Sequence, residues 1–315
     1  MSEHKPLPHY FTNVTVVGGA SDLDEFEATL RRAGVAGLVS AAEAKDGTLR
    51  ARVVNDAYAE PLKFTSAGWQ PISRDEIAKT LSRQFGADVS IDSVGYDGTG
   101  HPFEESALNA NTFPDYDAIA WLTTADVGVI TEGAASADQD FLVIPSSSDY
   151  YRSLVVAFDA PFAAANSSAW LMQSSFMMWR LGSARGFVVN TPTGVVGDEW
   201  NDSWQVVDPS AGDAAVLAAI ESIRRASPIR DYAEAFILDE AETAQLESLL
   251  NEPPADDTLR RLTEIIGEPS DIADVVEGRV DAADLPEASV VSAPQGFLSG
   301  FSAFAKKLTR DRRFD

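Results

Sequence analysis

Trp69-Gln70-Pro71-Ile72-Ser73-Arg74-Asp75-Glu76 is the stretch from which the fold is read. Ser73 and Glu76 have the spacing of a capping box, and Ile72 and Ile77 stand where a hydrophobic staple closes over a helix start. The helix that begins there carries Ile77, Leu81 and Phe85 inward at a spacing of four and stops at Gly86. Asp88-Val89-Ser90-Ile91-Asp92-Ser93-Val94 then alternates as a strand does, so the segment predicts a compact βαβ unit.

Upstream, Val14 to Val17 is a β-type run broken by Gly18-Gly19, and Ser21 is placed to cap a helix carrying Leu23, Phe26 and Leu30 on one face. This strand and turn are not a nucleotide-binding loop. The three-glycine spacing is missing, and Asp22, Asp24 and Glu25 would repel a pyrophosphate at the helix start. Leu38-Val39, Leu49 to Val54 and Leu62 to Thr65 read as short strands, with Asp46-Gly47 as a hairpin turn between the first two.

Downstream a similar cadence returns. Ser153 to Phe158 reads as a strand and Asp159-Ala160-Pro161 as a turn, followed by a helix running to about Leu181. That helix is apolar nearly all round, with Trp170, Phe176, Met177, Met178 and Trp179, and so is expected in a core. Gly186 to Asn190 follows as a strand before the Thr191 to Gly194 turn. From Ala211 the pattern is helical: Val216, Leu217, Ile220 and Ile223 form one stripe, Leu246, Leu249 and Leu250 a second, and Leu259, Leu262, Ile265 and Ile266 a third.

The expected fold class is α+β: two sheet-plus-helix modules, each with a ferredoxin-like layout, followed by a helical C-terminal region. The expected boundaries are a first module over 1–96, a linker over 97–117 and a second module over 118–210. A helical region over 211–280, a linker over 281–295 and a C-terminal helix over 296–315 complete the chain.

With 49 acidic and 24 basic side chains the net charge is −25, which repels phosphate backbones, so nucleic-acid binding by the body is not expected. The chain has no cysteine, which removes disulfides, thiolate metal sites and cysteine nucleophiles and suits a reducing cytoplasm. The N-terminal residues lack a signal-peptide pattern, and no run approaches the ~18 to 20 uncharged residues of a membrane span. Cytoplasmic placement is therefore expected.

Three histidines limit acid–base and metal chemistry. His4 and His9 lie in a Pro-rich start read as a loose tail. His101, beside Glu104 and Glu105, follows no metal-site spacing, and neither a metal nor any other cofactor is expected. No Gly-x-Ser-x-Gly elbow supports a serine hydrolase.

The most chemically suggestive segment is Gly197-Asp198-Glu199-Trp200-Asn201-Asp202-Ser203-Trp204. Carboxylates move protons and indole faces stack on sugar rings, so Asp198, Glu199 and Asp202 with Trp200 or Trp204 are the catalytic candidates of a carboxylate-based, glycan-directed hydrolase. Neighbouring side chains on an extended segment point to opposite faces, which works against their convergence.

The C-terminus differs in kind. Phe297, Leu298, Phe301, Phe304, Ala305 and Leu308 recur at helical spacing, and Lys306, Lys307, Arg310, Arg312 and Arg313 supply charge. Ser302 to Asp315 carries a net +3 against −28 for the rest of the chain. Phe297, Phe301, Phe304, Lys306, Lys307, Leu308 and Arg310 are therefore the partner-binding candidates. This helix either docks on its own acidic body or recruits a protein partner, with peripheral contact to an anionic membrane as a lesser use. The residues favour a non-enzymatic interaction or regulatory protein, with the hydrolase as the alternative.

Overall fold

The computed structural model describes residues 4–17, 22–41, 48–92, 94–103, 116–137, 139–147, 150–160, 175–191 and 194–292. In chain order the first elements are β1 (Pro6–Val17), α1 (Leu23–Arg32), β2 (Gly37–Ala41), β3 (Leu49–Asp56), β4 (Leu62–Thr65) and β5 (Gly68–Pro71). Next come α2 (Arg74–Phe85), β6 (Asp88–Ile91), β7 (Val94–Tyr96), β8 (Pro102–Phe103), β9 (Tyr116–Thr123) and α3 (Val127–Ala137). They are followed by β10 (Phe141–Pro145), β11 (Ser153–Ala160), β12 (Ser175–Leu181), β13 (Ala184–Thr191), β14 (Gly194–Trp200) and β15 (Gln205–Val207). The last are α4 (Ala214–Ser222), α5 (Ile229–Phe236), α6 (Glu240–Leu250), α7 (Thr258–Ile266), α8 (Asp271–Val276) and β16 (Ser289–Val291). The chain divides into two compact units, one of Met1–Pro114 with Asn201–Pro228 and one of Asp115–Trp200 with Ile229–Asp315.

In the first unit seven strands lie in the order β15-β2-β3-β1-β6-β7-β8, and neighbouring strands are antiparallel. Alternation along β1 and β3 puts Val14, Val16, Leu49, Ala51 and Val53 on one face, where Phe26 and Leu30 of α1 and Ile77 and Leu81 of α2 cover them. The other face turns Leu38 and Val54 toward Trp204 and toward Val216, Ile220 and Ile223 of the α4 region. The separate β4–β5 hairpin adds Leu62, Phe64 and Trp69 to that side.

Helix α2 begins as the sequence predicts. The Ser73 side chain accepts the Glu76 N–H at 3.1 Å, Ile72 and Ile77 are both buried, and Gly86 ends the helix in the left-handed region at φ 59°. The βαβ unit does not form. β5 pairs with β4, outside the large sheet, while β6 joins that sheet antiparallel to β1. A four-residue strand ending in exposed Gln70 and Pro71 has little apolar surface to bury, and proline brings no N–H to a ladder. At α1 the cap is Asp22, whose side chain accepts the N–H groups of Asp24 and Glu25; Ser21 lies outside the described residues.

In the second unit the order is β14-β13-β12-β9-β11-β10-β16, again antiparallel between neighbours. Helix α3 covers one face, with Ile130 and Ala134 against Trp121, Phe141, Val155 and Trp179. The helices α5 to α8 cover the other, where Tyr232, Leu246, Leu249, Leu262 and Val275 meet Phe176, Met178, Phe187 and Trp200. Asp239 and Glu242 make a complete capping box at the start of α6, through hydrogen bonds of 2.8 and 2.9 Å.

Two features correct the sequence reading. Ser175–Leu181, expected as the end of an apolar helix, is strand β12. It lies between β9 and β13 with both faces covered: Phe176 and Met178 point to the helices α5 to α8, and Met177, Trp179 and Leu181 to the side of α3. A strand buried on both faces loses its alternation and reads like a helix that is apolar all round. Residues 161–174, including Trp170, are outside the described part. Gly186 lies opposite Trp179 in the ladder, and a Cβ there would come 2.2 Å from the indole, so glycine leaves room for the ring across the strands.

The expected pair of ferredoxin-like modules with a helical region after them is also overturned, because each unit is built on a seven-stranded antiparallel sheet with helices on both faces. The helical stretch after residue 211 is shared out, α4 packing in the first unit and α5 to α8 in the second. Ser289–Val291 extends the second sheet as β16. The expected C-terminal helix over 296–315, with Phe297, Phe301, Phe304, Lys306, Lys307, Leu308 and Arg310, lies outside the described residues.

Candidate functional site

The three candidate carboxylates have different surroundings. Asp198 is buried on β14, where the Tyr232 hydroxyl donates to its Oδ2 at 3.0 Å and its Oδ1 accepts the Glu199 N–H at 2.9 Å. Glu199 is half-buried on the opposite face of the same strand. Asp202 is exposed and belongs to the first unit, whereas Asp198 and Glu199 belong to the second. The indoles are packing groups: Trp200 donates its Nε1–H to the Leu249 carbonyl at 2.9 Å and its ring lies against Phe187, while Trp204 sits under Arg52.

Around His101 the Thr99 hydroxyl lies 2.7 Å from both Asp97 Oδ1 and His101 Nδ1. The same carboxylate oxygen accepts the N–H groups of Thr99 and His101, and these bonds, the Thr99 hydroxyl foremost, bring the Asp97 pKa down to about 2. The cluster closes the exposed turn between β7 and β8. Glu104 and Glu105 lie outside the described residues.

His4, read as part of a loose tail, places its Nδ1 2.6 Å from Oδ2 of the buried Asp56. Oδ1 of Asp56 accepts the N–H groups of Tyr58 and Glu60. Burial pushes this carboxyl upward, but His4 and the two backbone donors together hold it below the usual range. Among the described residues no group of three or more His, Asp or Glu side chains is placed to hold a metal ion.

A cleft of about 290 Å³ opens in the second unit, where strand ends meet two loops. Leu122, Ile144 and Leu154, from β9, β10 and β11, make an apolar floor and are each nearly fully buried. Pro269, Leu285 and Pro286 form apolar walls, and Asp271, Glu287, Ser146 and Ser147 bring polar groups to the rim. The Ser147 hydroxyl donates to Asp271 Oδ2 at 3.1 Å and so fixes one carboxylate at the mouth. Glu287, with φ 61°, occupies the left-handed region in the turn that leads into β16.

The loop between Ser147 and β11 carries Tyr151, which is buried. Burial, and after it the negative charge of Glu268, holds its phenol well above its usual pKa, so it is a neutral group at physiological pH. The cleft therefore offers apolar contact within a negatively charged rim.

Compared with protein family models, curated proteins and solved structures, the chain has no match among any of the three. Sequence reasoning missed the cleft because five separated segments build it, and no motif marks residues 122, 144, 154, 271 and 287 as neighbours. Pro269, two residues ahead of Asp271, is a local signal there, and by itself it marks only a break in a helical pattern.

Proposed function

We propose that the protein is a non-enzymatic cytoplasmic interaction protein whose second unit holds an apolar side chain of a polypeptide that also carries basic charge. The observation that carries this reading is the cleft: a floor of Leu122, Ile144 and Leu154 under a rim of Asp271 and Glu287. Its volume of about 290 Å³ is at the small end of ligand pockets, roughly 300–1,000 Å³, and suits one or two side chains. The engagement of Asp198 with Tyr232, facing the helices and away from Glu199, further favours interaction over the hydrolase alternative. The absence of cysteine suits the reducing compartment. Among the described residues no helix is long and apolar enough to cross a membrane.

The energetics define a weak contact. Burying one Phe or Leu side chain contributes about 1.5–3 kcal/mol, and each exposed ion pair at the rim about 0.2–1 kcal/mol. The total corresponds to a dissociation constant on the order of 1 mM. Such a site serves reversible recognition and gains strength by tethering or by flanking contacts.

Titration of the full chain with fluorescent peptides tests the proposal. Peptides pairing Phe or Leu with Lys or Arg are expected to bind, and acidic peptides of equal length are not. Glu287→Lys, at an exposed rim position, and Ser147→Trp, at the mouth, are each expected to weaken binding at least fivefold, with added salt weakening the wild type further. Unchanged binding in both variants would overturn the assignment.

A further inference from the structure

We propose that residues 296–310 of the chain cover this cleft in cis, with Phe301 or Phe304 over the apolar floor and Lys306 and Lys307 against Glu287 and Asp271. The inference rests on the cleft being a site for basic, apolar peptide, and it names the occupant. Charge is the first argument: the rim is acidic and the body carries −28, while Ser302 to Asp315 carries +3.

Reach is the second. β16 runs antiparallel to β10 with Ser289 opposite Val143 and Val291 opposite Phe141, so the chain leaves the sheet heading away from Ile144. At ~3.4 Å per residue the return from Ser292 to the level of Ile144 is about 14 Å. Phe301 follows Ser292 by nine residues, and an extended chain of that length reaches about 30 Å.

Concentration decides between this occupant and a free partner. A short tether gives an effective concentration in the mM range. That matches the mM dissociation constant expected of the cleft, whereas a free partner at µM concentration would leave it almost empty. A partner then succeeds by displacing the segment, so the segment sets the threshold for binding.

The cysteine-free chain makes the test direct. In the full-length protein, Ser147→Cys is combined with Phe304→Cys, and Val195→Cys with Phe304→Cys is the control, since Val195 is exposed on β14 at the other edge of the same sheet. Under mild oxidation at low concentration the first pair is expected to form an intramolecular disulfide, seen by intact mass and peptide mapping, and the control is not. In a second full-length variant, F301S/F304S/L308S, a basic apolar peptide is expected to bind about twofold tighter than to wild type because its competitor is gone.

Equal peptide binding to wild type and triple variant, with no disulfide, would overturn docking in cis while leaving the cleft as a peptide site. Disulfides only between two copies would overturn it likewise. So would vesicle binding, in a phosphatidylserine and phosphatidylcholine mixture, that the triple variant loses while the disulfide fails to form. Absence of peptide binding to both proteins would remove the peptide-site reading itself.

Discussion

Among the described residues each unit buries one arginine near a helix C-terminus, and the two do it by different means. In the first, Arg52 of β3 donates through Nη1 to the Arg224 carbonyl at 2.6 Å and the Ile223 carbonyl at 3.3 Å, at the end of α4. Its guanidinium lies 4.8 Å from the Phe11 ring centre and 5.1 Å from that of Trp204. In the second, Arg185 of β13 meets the Glu277 carboxylate with two bonds of 3.1 Å and donates to the Gly182 and Ser183 carbonyls at 2.8 and 2.6 Å. Glu277 caps the C-terminal end of α8. One cation is thus held by peptide dipoles and aromatic faces, the other by a full opposite charge. The difference lies in what is left behind when the arginine is removed.

The largest effect is expected for Arg185→Ala, which leaves the buried Glu277 carboxylate without its fork of donors and costs about 3–5 kcal/mol. Urea denaturation measures the loss, and hydrogen exchange should place it in β12 and β13. Replacing both partners, as R185M/E277L, should recover most of it, since an apolar pair of similar volume replaces a buried ion pair at little cost. Arg52→Met takes donors from the neutral Ile223 and Arg224 carbonyls and is expected to cost less, about 1–3 kcal/mol. A loss as large as that of R185A would break the distinction.

The smallest effect concerns acid. Asp56 and Asp208, both in the first unit, are held below the usual carboxylate range although burial opposes it. For Asp56 the outweighing groups are His4 and two backbone N–H donors; for Asp208 they are the Ser210 hydroxyl and the N–H groups of Ser210 and Gly212. A folded pKa below the unfolded one gives stability that is present above the unfolded value, near 4, and is lost as pH falls through the folded value. Acidification below about pH 4 should therefore weaken protection around the turn after β3 and the start of α4. Protection that rises on acidification would contradict the assignment.

Local grammar was legible and distant pairing was not. Ser73, Ile72, Ile77 and Gly86 announced α2 because capping and stapling act within a few residues. β12 reads as a helix because burial on both faces erases the period of two, and β15 and β16, three residues each, are too short to show any period. The sheets were consequently underestimated, and the ferredoxin-like layout with them. Of the candidate site, Asp198 was visible as a carboxylate beside tryptophan, but its engagement with Tyr232, far along the chain, was not. His4 reads as loose for the same reason, since Asp56 is more remote still in sequence. The cleft joins β9, β10, β11 and the loops at 269–271 and 285–287, and only the tertiary fold brings them together.

The path of the chain has a consequence for synthesis. β15 and α4 belong to the first unit, yet they leave the ribosome only after β9 to β14 of the second have emerged. Until then Leu38 and Val54 lack the cover that Val216 and Ile220 provide, so the first unit is exposed to wrong partners during translation. The second unit, in turn, has its strands β9 to β14 made before any of α5 to α8 exists to shield Phe176 and Phe187. Neither half of this protein is made from one uninterrupted stretch of chain, and a ribosome stalled near residue 200 would hold two sheets that are each incomplete.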